Sequence, residues 1–256
     1  MNACLEEEAV YPVRREVRLE CDPQLVETAV FTLLRDGPHA AEYHAGREAC
    51  YAVPDEDREA AFAAYHREWF ERLALAQPVV DIILEYPTVL RGTARQILAP
   101  AVRKQDEIAE LFAPAVAAEG ARPYLVLRLR PDAFGHPEQI VKVLRRELMH
   151  VSDMLDVDFG YDPAPTQFLD SEGVPTVIRD RYRVLWSIFV DARLYRAGHV
   201  DAATISRRLE EFYKVFPMLG ERRRAVFEAI FAGRAWRHGD FMLFARNPGR
   251  LTDLAG

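Results

Sequence analysis

Apolar residues recur at helical spacing along most of this 256-residue chain and at strand spacing in only two short places. In "PQLVETAVFTLLRDG" (23–37), Leu25, Ala29 and Leu33 share one face, and Gly37 with Pro38 stops the run. The stretch 54–78 opens with Pro54 and an acidic first turn, which suits the positive end of a helix dipole. The same periodicity predicts helices over 104–118, 137–156, 178–197, 202–215 and 221–236. Strict alternation predicts strands over 15–21, through Val17, Leu19 and Cys21, and over 123–130, through Leu125, Leu127 and Leu129. The expected class is α+β and predominantly helical. A seam near Pro100 divides residues 1–100, a helical region, from residues 101–256, although the two together could form one compact domain. A loop, 162–176, separates the helices at 137–156 and 178–197.

Composition alters this picture little. Half the residues are apolar and 29% are charged, as in ordinary globular proteins. The most apolar run, "PVVDIILEY" (78–86), is too short and too charged to span a bilayer, so no membrane association is expected. No basic start followed by an apolar stretch opens the chain, and Cys4, Cys21 and Cys50 lack metal-type spacing; both features point to reduced thiols and a cytoplasmic home. Acidic residues dominate 1–178 and basic ones dominate 179–250. That basic region admits an adaptor that binds nucleic acid or protein, with 216–240 as a helix-turn-helix presenting Glu221–Arg224. Solvated helix faces, docking on the acidic remainder and plain helix packing are the readings expected ahead of it, and nucleic acid is not the expected partner. His39 and His44 flank an acidic loop and are read as surface residues.

Chemistry concentrates in "VLRRELMHVSDMLDVDFGY" (143–161). Leu144, Leu148, Val151 and Leu155 form the core-facing stripe, with Arg146, His150 and Asp153 beside it and Glu147 between. Apart from Arg146, "RELMH" has the spacing of the zinc-protease motif HExxH. There, histidines four residues apart grip one ion, and the intervening glutamate activates its bound water. On the later helix, Val184, Ile188, Asp191 and Tyr195 place a carboxylate in an apolar stripe. A buried carboxylate needs a metal, a cation or donors opposite it. Alternatively Asp191 lies at the stripe's edge, bonded to Arg183, Arg193 or Arg196.

The run "LRLRPDAFGHPEQIVKVLRRELMHVSDMLD", followed by an acid-bearing helix, resembles the zincin metallopeptidases. It resembles more closely the zincin-like bacterial proteins that carry HELMH where this chain has "RELMH". The resemblance covers about residues 120–200. It implies a zincin-like core with a short strand beside the motif helix, peptide hydrolysis, and zinc held by two histidines and a residue of a later helix. Carried over, Glu147 is the general base, His150 the second ligand and Asp191 the third, with Asp153 as fallback. Arg146 stands at the first-ligand position. Guanidinium stays protonated and offers no lone pair, so it cannot ligate zinc. The expectation is a degenerate, vestigial site in a pseudoenzyme that serves a binding or structural role, with a peptide or protein partner and no cofactor. A salt-bridged cluster of Arg146, Glu147, His150 and Asp191 would then hold the two helices together. The alternative is an active metal-dependent hydrolase with rearranged ligands: Arg146 points outward, and His136 or His199 joins His150 and Asp191 on zinc.

Overall fold

The structure, a computed structural model, describes residues 17, 19–113, 121–163, 176–233 and 235–255. Cys4, the first part of the expected strand 15–21, residues 114–118 of the expected helix 104–118, and most of the loop 162–176 lie outside the described residues.

A short strand, β1 (Leu19–Cys21), passes directly into α1 (Pro23–Leu34) because Asp22 caps the helix. Its carboxylate accepts from the Gln24 and Leu25 amides at 2.9 and 3.2 Å, and Pro23 sits where no amide is needed. Four more helices follow: α2 (Ala40–Tyr51), α3 (Asp55–Arg72), α4 (Gln77–Leu84) and α5 (Pro87–Gly92). They return the chain to β2 (Gln96–Pro100), which pairs parallel to β1, as strands joined by a long crossover can. Next come β3 (Ile108–Phe112) and β4 (Tyr124–Leu129), giving the sheet order β1-β2-β4-β3. β2 and β4 are parallel; β3 is antiparallel to β4 and occupies an edge. The chain is therefore α+β and predominantly helical, with one small four-stranded sheet.

A 3-10 turn, Pro131–Gly135, leads from β4 into α6 (Pro137–Leu155), the helix that carries "RELMH". Its Ile140, Leu144, Leu148 and Val151 are buried against Leu98, Leu125, Leu127 and Leu129 of the sheet and against Leu25, Trp69 and Phe70. A second core belongs to α7 (Thr176–Arg196), α8 (Ala202–Val215), α9 (Arg223–Ala232) and α10 (His238–Arg246). Leu185, Ile188, Phe189, Phe212, Phe227 and Phe241 are its main contributors. Met149 of α6 packs on both cores. Among the described residues no helix is long and apolar enough to cross a membrane.

Several expectations need correction. Residues 104–112 are not helical: Lys104–Asp106 makes one 3-10 turn and β3 follows. The ladder with β4 favours the strand, together with a stacked Phe112–Tyr124 pair at 5.3 Å and a Glu110–Arg128 bond of 3.0 Å. The acidic loop around His39 and His44 is α2, with His39 at its N-cap and His44 hydrogen-bonded to the Arg35 carbonyl at 3.0 Å. The helix expected over 54–78 breaks at Ala74, a left-handed residue (φ 50°), where the Leu75 amide bonds back to the Phe70 carbonyl at 3.1 Å. α4 then starts a new axis. The helix expected over 221–236 shortens to α9, and α10 was not anticipated. Val226, Phe227 and Ile230 of α9 are buried in the second core, so this helix packs inward.

Candidate functional site

Arg146 leaves α6 toward α7 and reaches the acid on that helix. Its Nε donates to Asp191 Oδ1 at 3.2 Å, and its Nη2 to Ser187 Oγ at 3.0 Å, one turn earlier on α7. Asp191 is only 1% exposed, whereas the Arg146 side chain is 35% exposed. The second carboxylate oxygen, Oδ2, accepts from Arg208 Nε of α8 at 2.8 Å, and Arg208 in turn pairs with Glu211. A buried carboxylate thus has each oxygen matched to a different guanidinium, which offsets its desolvation. The edge-of-stripe alternative is not what the structure shows. Asp191 is buried, and its partners are Arg146 and Arg208 rather than Arg183, Arg193 or Arg196.

Asp153 has its own partners. Arg193 grips it with two parallel bonds of 2.7 and 2.6 Å, and the Trp186 indole donates to it at 2.8 Å. The Arg193 guanidinium also lies over the Phe189 ring, 4.0 Å from its centroid. With both oxygens so engaged, Asp153 ties α6 to α7 and has no oxygen turned to spare.

His150 meets the same Trp186 edge to face, ring centroids 4.7 Å apart. Burial holds its imidazole well below the usual histidine range, and the charges of Arg146, Arg193 and Arg208 push it further down, so it is neutral at pH 7. Burial raises the Glu147 carboxyl; the Arg146 charge and a hydrogen bond from the Ala109 amide of β3 act against that rise. The expected four-residue ionic cluster is therefore smaller than predicted. Arg146 and Asp191 form the ion pair; Glu147 and His150 stand beside it in separate environments.

Two cavities meet at Arg146 and Glu147. One, of about 680 Å³, lies between β3, α6 and α7, with Ile108, Ala109, His150, Tyr161 and Trp186 in its walls. The other, of about 570 Å³, opens toward α8 and includes Asp191, Thr204, Arg207 and Arg208. His150 lines the first and Asp191 the second, with Arg146 common to both. Neither cavity includes His136, which precedes α6 and lies 3.7 Å from Glu138, nor the exposed His199 beyond α7.

Does this donor set fit zinc? Among the described residues, no three His, Cys, Asp or Glu side chains gather closely enough to hold a metal ion. Both Asp191 oxygens already face guanidinium donors, and a cation beside two guanidinium groups would be repelled. The residues present do not fit the ion.

Sequence reasoning located Arg146, Glu147, His150, Asp153 and Asp191. It missed Arg208 and Ser187 as partners, and the Arg193–Asp153–Trp186 knot. Ser187 had a legible signal, because it lies four residues before Asp191 on one helix face. Arg208 had none, since its approach depends on how α8 packs against α7. Comparison with family models, with curated proteins and with solved structures found no match.

Proposed function

We propose that this is a zincin-like protein whose metallopeptidase centre has degenerated, and that it serves a binding role without hydrolysis. One observation carries the reading. The side chain at the position that resembles the first zinc ligand is a guanidinium, and it bonds the very carboxylate that the resemblance makes the third ligand. A permanent cation links the two helices where a metal would otherwise do so. Glu147 then has no metal-bound water to activate.

The partner this geometry favours is an extended peptide or protein segment. β3 is an edge strand, and the 680 Å³ cavity runs between it and α6. A strand edge offers backbone donors and acceptors to an added strand, and apolar walls such as Trp186 and Tyr161 receive its side chains. The test is to incubate the purified chain with a mixed peptide library, with and without added zinc, and to read cleavage by mass spectrometry. No cleavage is expected in either case. Cleavage that Glu147→Ala abolishes would overturn the reading and favour a working hydrolase.

A further inference from the structure

Three guanidinium groups converge on one small cavity between α6 and α8. Arg146, Arg207 and Arg208 line it, with Thr204 and Glu211, and its volume is about 150 Å³. Wider cavities share Arg146 and Arg208 with it and add Lys142, Arg183 and Lys214 to the surroundings.

Of the carboxylates nearby, Asp191 and Glu211 are already engaged with these arginines, and Asp180 and Glu147 stand in the walls of the wider cavities. Asp191 is divided between Arg146 and Arg208, and Glu211 pairs with Arg208. Glu107, at the far wall of the larger cavity, pairs with Arg130 at 3.4 Å. The cations are not matched in the same way. Arg146 uses Nε and Nη2, and Arg208 uses Nε and Nη1, so each keeps one terminal nitrogen with no acceptor among the described residues. Arg207 makes only a long contact, 3.4 Å, to Thr204 Oγ1 within its own helix. Three like charges around one cavity repel, and an anion between them relieves the repulsion while satisfying the spare N–H groups.

We propose that this cavity binds the phosphate group of a small phosphorylated ligand. Three separate guanidinium groups, one from α6 and two from α8, supply donors from different directions. That suits the three terminal oxygens of a tetrahedral dianion, which face three directions, whereas the two oxygens of a carboxylate share one plane. The site does not depend on the zincin-like reading, because its donors serve equally in a protein of any ancestry.

Isothermal titration of the full chain with inorganic phosphate tests the proposal, with ionic strength held constant by chloride. Saturable binding of one phosphate per chain is expected. Arg207→Glu raises Kd about tenfold or more, and Arg224→Glu leaves it unchanged. Arg224 is an exposed arginine of α9 outside these cavities, so the second variant carries the same change of net charge. Arg207 is also exposed, and thermal melting in chloride checks that its variant folds like the parent. Absence of saturable phosphate binding would overturn the proposal. So would equal weakening in the two variants, or succinate binding as tightly as phosphate.

Discussion

Asp191 is the residue on which the site's energetics turn. Its carboxylate is buried and held by two cations that each retain access to solvent. Losing the acid takes a partner from both guanidinium groups, leaving Arg146 with Ser187 and Arg208 with Glu211, whereas losing Arg146 leaves Asp191 still bonded to Arg208. Asp191→Asn is therefore expected to destabilise the protein by about 3 kcal/mol, the lower end for breaking a buried pair. Arg146→Met, at a side chain one-third exposed, is expected to cost about 1 kcal/mol or less. Urea denaturation measures both; equal losses would contradict this division of labour. At this scale the sequence was informative, because an acid in an apolar helical stripe and an arginine just before an E-x-x-H spacing are both visible in one dimension. What it could not supply was direction. Asp153 shares a helix face with His150, yet it turns to Arg193 and Trp186, partners about one helix away in the chain.

The elements that sequence periodicity identified best are those whose local pattern and tertiary contacts agree. α6 is the clearest, since Leu144, Leu148 and Val151 of the predicted stripe are buried and its last member, Leu155, packs half-buried at the edge of the first core. β4 behaves likewise through Leu125, Leu127 and Leu129. β3 was misread because "IAELF" is too short to reveal its period, and its support comes from a ladder with β4 whose nearest cross-strand ring contact, Phe112 with Tyr124, lies twelve residues away in the chain. The break between α3 and α4 was hidden for a different reason. Ala74 adopts a left-handed conformation that glycine normally fills, so no punctuation marks the turn. Ala74→Gly is expected to stabilise the protein by roughly 0.5–1 kcal/mol, because glycine lacks the Cβ clash of that conformation. A rise in the urea midpoint with an unchanged slope checks this; a fall would show that Ala74's methyl packing outweighs its strain.

Across the whole molecule, two hydrophobic cores meet along α6, and ionic contacts of Arg146 and Arg193 join that helix to α7 at the junction. Three of the seven histidines are drawn inward: His66 and His238 are buried, and His150 is half-buried between α6 and α7 against Trp186. Burial lowers all three from the ordinary value of 6.5. Between the lowered values and 6.5 the unfolded chain binds more protons than the folded one. The part of the stability that these imidazoles contribute is thus complete above about pH 6.5 and declines as pH falls below it, each group contributing at most about 1.4 kcal/mol per pH unit. His150→Gln is expected to flatten that decline between pH 7 and 5 in urea titrations; an unaltered slope would place the dependence elsewhere.

Under the proposed function, the guanidinium of Arg146, bonded to Asp191, stands where a zinc ligand would stand. Arg146→His frees Asp191 Oδ1 and sets a second imidazole one turn before His150. The most direct measurement is zinc content by mass spectrometry after dialysis of wild type, Arg146→His, and Arg146→His combined with His150→Ala. Zinc is expected to stay near one equivalent in the single variant, and at far less in the wild type and the double variant. One firmly held equivalent in the wild-type protein, lost on His150→Ala, would contradict it.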